Sequence, residues 1–144
     1  MTTVPIDSRD GVIWFDGAFV DWKDAKVHVL THALHYGSAI FEGERAYGGA
    51  IYKLAEHSQR LVNSANIMGF KLPWSQAEIE AATLETFARS GLADAYVRPI
   101  AWRGSETVGV AARANSIHLA IAVWQWPSYF SPAEKLKGIR LDMA

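Results

Sequence analysis

The first fifty residues alternate short apolar runs with Gly- and Asp-containing breaks, a pattern typical of antiparallel β-hairpins. Apolar runs at 11–15 and 18–20 flank an Asp-Gly pair at 16–17, and both residues of the pair tolerate the positive φ of a tight turn. A second hairpin is predicted to reverse at the Gly-Gly pair 48–49, after a strand that includes 39–41 and 46–47. A chain that opens on hairpins does not open on a βαβ unit.

Two helices are predicted from the spacing of apolar residues and from signals at the helix ends. The first covers 56–68 and ends at Gly69, since glycine readily takes the left-handed conformation that follows a helix. The second begins at a capping box formed by Ser75 and Glu78 and runs to about Ser90. Its predicted inner face consists of Ile79, Ala82, Thr83, Thr86 and Phe87.

The second half of the chain favours two long strands. Residues 96–103 alternate between two faces, and 117–126 form a nearly continuous apolar run, as a central strand does. The small, polar segment 104–115 between them is predicted to be a flexible loop. Residues 138–144 also alternate like a strand, and because the chain stops inside that pattern we expect a cut end there.

Composition limits the classes of function. The chain has 144 residues, of which 50% are hydrophobic, enough to build one sizeable core. A net charge of -1 gives no electrostatic attraction to nucleic acid or to an anionic membrane, and no stretch resembles a signal peptide or a spanning helix. The absence of cysteine fits a reducing cytosol. We therefore expect a cytoplasmic protein whose partner is a small ligand or another protein.

Three arginines stand in strand or apolar settings, where a guanidinium is costly unless it is paired. They are Arg45, Arg60 and Arg98. Each suits bidentate capture of phosphate or carboxylate, but for any one of them alone a salt bridge with Glu42, Glu44 or Glu56 is the more common arrangement. The tyrosines at 36, 47, 96 and 129 are open to a core role as well as a ligand role.

Other chemistries have little support. His32 and His35 have helical spacing, but no third ligand accompanies them, so we expect no metal site. The glycines at 37, 43, 48 and 49 form neither a P-loop nor a dinucleotide-binding fingerprint.

Three linked motifs resemble, in order, those of the fold-type IV enzymes that use pyridoxal 5′-phosphate (PLP). They are HYGSAIFEGERAY at 35–47, EHSQRL at 56–61 and AYVRP at 95–99. The similarity covers nearly the whole chain and is strongest to branched-chain aminotransferases. It implies an α+β fold with a mostly antiparallel sheet and two helices on one face, equivalent to the small N-terminal domain of that family.

The resemblance also assigns roles to residues. Arg60 corresponds to the arginine that binds the cofactor phosphate. The implied substrate-binding residues are Tyr36, Phe41, Tyr96, Arg98, Val110 and Tyr129. Tyr96 meets the α-carboxylate and Arg98 a glutamate side chain. Tyr36, together with the loop of Gly109 and Val110, is implied to serve the neighbouring subunit of a homodimer or higher oligomer.

The catalytic lysine that forms the Schiff base with PLP corresponds to no residue of this chain. The lysines present are Lys23, Lys26, Lys53, Lys71, Lys135 and Lys137. We therefore expect 1–144 to be the N-terminal domain, without the C-terminal domain that carries the lysine, and to be inactive alone. No catalytic residue is assigned.

The activity implied for the complete protein is amino-group transfer between leucine, isoleucine or valine and 2-oxoglutarate. Another fold-type IV enzyme (a D-amino-acid or amine transaminase, or an aminodeoxychorismate lyase) and a non-catalytic binding or dimerisation fragment remain as alternatives. Glu44 departs from the aliphatic residue of many relatives, and we expect it to pair with Arg45 or Arg60 and to alter the charge of the pocket.

Overall fold

A computed structural model describes residues 4–126 and 130–142. The strands are β1 (Val12–Phe15), β2 (Ala18–Asp21), β3 (Ala39–Phe41), β4 (Glu44–Tyr47), β5 (Ala50–Ile51), β6 (Ala95–Arg103) and β7 (Ile117–Trp124). The helices are α1 (His32–Tyr36), α2 (Leu54–Ile67), α3 (Gln76–Ser90) and α4 (Pro132–Lys137), and two 3-10 turns lie at Ile6–Ser8 and Trp22–Asp24. The architecture is α+β, as the sequence predicts.

The strands form one sheet in which every pairing is antiparallel. The order is β2-β1-β7-β6-β4-β5, and β3 also pairs with β6, next to β4. β6 and β7 are the central pair, in register from Tyr96 opposite Trp124 to Arg103 opposite Ile117. This long pair is the platform on which the other elements lie.

Helices α2 and α3 pack on one face of the sheet, which confirms the expected layering. The predicted inner face of α3 is buried in full, and the Ser75–Glu78 capping box is present. Leu61 and Ala65 of α2 are buried in the same cluster as Val97 and Ile121 of the sheet. Burial of these side chains is the main favourable term that holds the helices on the sheet.

The opposite face of the sheet carries a smaller apolar cluster. Ile13, Trp22, Trp102 and Ala120 form its buried part. The chain from the second 3-10 turn through α1 lies over this cluster, and its exposed apolar side chains include Val27, Val29, Leu30 and Leu34. This face is less completely covered than the helical face.

The turn between β1 and β2 is tied to the centre of the sheet. Asp16 and Gly17 both have positive φ, 49° and 97°, as the predicted Asp-Gly turn requires. One carboxylate oxygen of Asp16 accepts the Leu119 backbone N–H at 2.8 Å, and the other meets Nδ1 of His118 at 2.5 Å. Asp16 therefore shapes the turn and also anchors it to β7.

Two sequence predictions differ from the structure. The strand expected over 39–47 is two strands, because the chain breaks at Glu42 and Gly43 between β3 and β4. The strand predicted over 138–144 is wrong for its described part, since 138–142 has no strand pairing and Leu141 is 81% exposed. Alternation alone does not make a strand without a neighbour to pair with.

The structure also has a short helix, α4, that the sequence analysis missed. Its start carries the same local signal as α3, a capping box formed by Ser131 and Glu134. Among the described residues, no helix is long and apolar enough to cross a membrane.

Candidate functional site

The break between β3 and β4 lies at the centre of the candidate site. Three consecutive residues, Phe41, Glu42 and Gly43, each lie against a different residue that the sequence analysis selects. The backbone N–H of Glu42 donates to the carbonyl of Pro99 at 2.9 Å, which fixes the break against β6. A short segment thus links helix α2 to the central strands.

Phe41 lies under the guanidinium of Arg98. The Cζ atom of Arg98 is 4.1 Å from the centre of the Phe41 ring, a cation–π distance, and Nη2 of Arg98 donates to the Tyr96 hydroxyl at 2.6 Å. The Nε atom of Arg98 is buried and has no hydrogen-bond partner among the described residues. Arg98 is held in place but has donor capacity left.

Glu42 binds the guanidinium of Arg60 through both carboxylate oxygens. Arg60 Nε donates at 2.7 Å and Nη2 at 2.5 Å, while His57 Nδ1 lies 2.8 Å from the same carboxylate. The Glu42 side chain is only 3% exposed, whereas that of Arg60 is 64% exposed. The carboxylate is thus an internal support, and the guanidinium faces outward.

Electrostatics keep this pair charged. Burial alone would raise the pKa of Glu42, but the hydrogen bonds from Arg60 and His57 outweigh burial and lower it. The hydrogen bond to Glu42 raises the pKa of Arg60 above its ordinary value. The Arg60 guanidinium is therefore fully charged and is held in place by the buried Glu42 carboxylate.

Gly43 allows the close approach of Tyr96. A Cβ atom at Gly43 would collide with the Tyr96 hydroxyl. The Tyr96 ring cannot easily move away, because its centre lies 4.9 Å from that of Trp124 and 4.7 Å from that of Trp126. Glycine at this position is thus required by the packing of the site.

Tyr36 lies in a second group, on α1. Its hydroxyl donates to the carbonyl of Val108 at 3.0 Å, and the neighbouring Gly109 carbonyl lies 3.2 Å from Nε2 of His32. Val110 follows at the tip of this loop and is 85% exposed. The structure thus brings Tyr36 and the predicted loop residues together.

Comparison with known proteins identifies the family. The model of the amino-transferase class IV family matches residues 39–143, which include both strands of the break and the whole of β6 and β7. The chain belongs to the class IV aminotransferase family.

Individual class IV aminotransferases are similar over most of this chain. The branched-chain-amino-acid aminotransferase of Pseudomonas aeruginosa is 45% identical over 137 residues, which are 92% of this chain and 45% of that protein. The Escherichia coli K12 enzyme of the same name is 39% identical over 144 residues, 96% of this chain and 45% of that one. The chain therefore spans about half the length of the curated relatives it matches.

Solved structures agree with the fold. A crystal structure of the Escherichia coli branched-chain amino acid aminotransferase superposes with a TM-score of 0.81 at 37% identity, over 86% of this chain and 42% of that one. The branched-chain amino acid aminotransferase of Thermoproteus uzoniensis, solved with norvaline, has a TM-score of 0.79 at 34% identity, over 84% of this chain and 42% of that one. Another branched-chain amino acid aminotransferase, 41% identical, has been solved with pyridoxamine 5′-phosphate and with 4-methylvaleric acid. The α+β fold is thus that of the class IV aminotransferases.

Several site features of this class IV aminotransferase chain were not expected from the sequence. His57, Gly43 and Trp124 act through contacts between residues that are distant along the chain, and local spacing does not reveal such contacts. The sequence indicates Glu42 only as one of three salt-bridge partners for arginine. The predicted pocket residue Tyr129 lies outside the described residues. Within the described residues, no three His, Cys, Asp or Glu side chains converge on a metal position.

The pairing expected for Glu44 is wrong. Its side chain is fully buried on the helix-facing side of β4, and neither carboxylate oxygen has a hydrogen-bond partner among the described residues. Arg60 is bound to Glu42 instead, and Arg45 lies over the ring of Tyr47 at 5.4 Å. Burial, together with the nearby charge of Glu42, raises the pKa of Glu44 to about 8.

The buried Glu44 predicts a pH-dependent stability. The unfolded side chain ionises near its ordinary pKa of 4.5 and the folded one only at about 8, so the unfolded state gains stability as the pH rises between these values. The free energy of unfolding is measured in urea at pH 5 and at pH 8. Between these pH values it should fall further in the wild type than in Glu44→Gln, by on the order of 3 kcal/mol.

The control for this comparison is Glu85→Gln on the exposed side of α3, which should lose as much stability as the wild type between the two pH values. An equal loss in the wild type and in Glu44→Gln would mean that Glu44 does not hold a proton in the folded state.

Proposed function

We propose that this chain is the N-terminal small domain of a PLP-dependent branched-chain aminotransferase. In the complete protein, meaning this chain together with the C-terminal part that its relatives have, the activity is amino-group transfer between leucine, isoleucine or valine and 2-oxoglutarate. One observation carries the proposal: the consecutive residues Phe41, Glu42 and Gly43 contact Arg98, Arg60 and Tyr96, respectively. The identities to branched-chain aminotransferases support it.

Arg60 fits a phosphate-binding role. Glu42 occupies Nε and Nη2, which leaves Nη1 without a hydrogen bond among the described residues, on a side chain that is 64% exposed. A planar guanidinium held by a buried carboxylate is pre-oriented for a dianionic phosphate. The salt bridge to Glu42 is therefore compatible with phosphate binding, because it fixes the donor without using all of it. When bound, PLP supplies the electron sink of the reaction.

Phe41, Tyr96 and Arg98 fit the substrate side of the site. The Tyr96 hydroxyl and the remaining donors of Arg98 suit a carboxylate, whereas the Phe41 ring offers an apolar surface to a branched side chain. Because Arg98 is stacked on Phe41, one location presents both a charge and an apolar face. Such a pair suits an enzyme that accepts glutamate in one half-reaction and an aliphatic amino acid in the other.

We propose that the complete protein is a cytoplasmic homodimer or higher homo-oligomer. The exposed loop of Val108 and Val110, together with Tyr36 and the apolar residues Val29 and Leu34, offers apolar surface suited to a second copy. In this assembly Tyr36 and Val110 serve the pocket of the neighbouring subunit.

A donor panel tests the proposed activity of the complete protein. L-leucine, D-alanine and aminodeoxychorismate are compared at equal concentration with 2-oxoglutarate as acceptor, and glutamate or the lyase product is quantified. We expect turnover with leucine to exceed that with the other two by at least about a hundredfold, since the proposed pocket binds L-amino acids with branched aliphatic side chains. Faster turnover of D-alanine or aminodeoxychorismate would reject the branched-chain assignment.

Removal of the Arg60 guanidinium should weaken cofactor retention. A charge-assisted contact to phosphate contributes about 1.5–3 kcal/mol, so Arg60→Ala should raise the Kd for PLP by roughly tenfold or more. The Kd is measured by fluorescence titration of the complete apoenzyme. The matched control is Arg89→Ala, because Arg89 also pairs with a glutamate, Glu85, but on α3. If Arg60→Ala left the Kd for PLP unchanged, Arg60 would not bind the phosphate, and its role would be limited to the salt bridge with Glu42.

Substitution of Arg98 should separate the two half-reactions. Arg98→Met keeps an apolar contact with Phe41 but deletes the charge, so single-turnover rates should fall by roughly a hundredfold for glutamate and much less for leucine. The rates are followed by the absorbance change of the bound cofactor. Equal losses for both amino acids would assign Arg98 to the α-carboxylate or to the fold.

A further inference from the structure

His32 connects helix α1 to the loop 104–116 and has no assigned role in the proposed function. Its Nε2 atom lies 3.2 Å from the Gly109 carbonyl oxygen, although the two residues are 77 positions apart in the sequence. On the other side of the ring, Nδ1 lies 2.7 Å from the hydroxyl of Ser38. The side chain thus connects the short segment between α1 and β3 to the tip of the loop.

The partners of the His32 ring determine which of its nitrogen atoms carries a proton. A backbone carbonyl only accepts hydrogen bonds, so Nε2 must carry the proton that it donates to Gly109. The Ser38 hydroxyl both donates and accepts, and it therefore satisfies Nδ1 in either state. Because His32 is only 4% exposed, water does not readily replace these partners, and the ring is held in one orientation.

Tyr36 reinforces the same contact from the next turn of α1. Its ring stacks on the His32 ring with centres 4.4 Å apart and planes inclined by 20°. Its hydroxyl donates to the carbonyl of Val108, the residue before Gly109. Two adjacent loop carbonyls are therefore held by two stacked side chains of one helix.

The base of the loop is held by different residues. Asn115 is buried and donates to the carbonyls of Gly104 and Thr107, and Arg103 donates to the carbonyl of Ala112. The side-chain hydrogen bonds described for the tip, 108–110, come from His32 and Tyr36 of α1. The position of the exposed Val110 therefore depends on α1.

We propose that His32 is a positioning residue that holds the loop tip through the Gly109 carbonyl, and thereby sets where Val110 and Tyr36 meet the substrate side chain. The assignment of Val110 and Tyr36 to a substrate pocket rests on the proposed function. The latch itself, defined as the contacts of His32 and Tyr36 with Val108 and Gly109, does not.

Two substitutions of His32 separate its donor from its bulk. In His32→Gln the side-chain amide nitrogen occupies about the position of Nε2 and keeps the donor to Gly109. In His32→Asn the amide is shorter and keeps only the contact with Ser38. His35→Asn is the matched control on the same helix, because His35 is exposed and bonds to Val29 instead of the loop.

Hydrogen exchange of the loop amides in the complete protein is the first readout. His32→Asn should speed exchange at 108–111 by about fivefold to tenfold, the loss expected for one neutral hydrogen bond, whereas His32→Gln and His35→Asn should match the wild type. If His32→Asn does not fold, Tyr36→Phe deletes the second carbonyl contact and should speed the same amides. The proposed role of His32 and Tyr36 would be contradicted if exchange were unchanged in a folded His32→Asn or Tyr36→Phe protein. It would also be contradicted if His32→Gln and His32→Asn accelerated exchange equally.

Kinetics are the second readout and distinguish positioning from general destabilisation. Since Val110 and Tyr36 are proposed to contact the substrate side chain, His32→Asn should raise the KM for leucine by about fivefold with a much smaller change in kcat, and His32→Gln should restore KM. An unchanged KM in His32→Asn would overturn the positioning role. If the complete protein were inactive with leucine, the proposed function would be rejected. The hydrogen-exchange comparison would still test whether His32 holds the loop tip.

Discussion

The buried carboxylate of Glu42 is the constraint on which the rest of the site depends. A charge that is 3% exposed must be fully partnered, and Glu42 is partnered by Arg60 and His57 of α2. Its own backbone N–H is bound to Pro99 in the central strand. The ion pair therefore fastens a helix to the sheet and, by the same contacts, holds the Arg60 guanidinium at the surface.

The interruption between β3 and β4 leaves the register along β6 unchanged, because Phe41 lies opposite Ile100 and Glu44 opposite Val97. Burial continues to alternate from Ile40 to Ala46, so Phe41 and Gly43 share one face of the sheet and Glu42 lies on the other, as in a regular strand. On one face Phe41 contacts Arg98 and Gly43 admits the Tyr96 hydroxyl, while on the other face Glu42 points to α2. Strand alternation thus brings two kinds of donor to the same short segment: Arg60, suited to a phosphate, and Arg98, suited to a carboxylate.

The features predicted correctly from the sequence are those with local causes. The capping box of Ser75 and the apolar period of α3 act within a few residues, and the alternation of β6 specifies its two faces directly. The contact of His32 with Gly109 joins residues far apart in the chain, and no spacing rule indicates it. The strand expected at the C-terminal end was wrong because a strand also needs a neighbour to pair with. The alternation of residues is visible in the local sequence, but the presence of a pairing strand is not.

The central claim is that Arg60 and the pair of Tyr96 and Arg98 serve one site joined by Phe41, Glu42 and Gly43. A crystal structure of the complete protein with PLP and 4-methylvaleric acid tests it most directly. We expect the phosphate within hydrogen-bond distance of the Arg60 guanidinium, with Glu42 still bound, and the carboxylate of the acid at Tyr96 or Arg98. A phosphate held by other residues, with Arg60 bound to Glu42 alone, would contradict the claim.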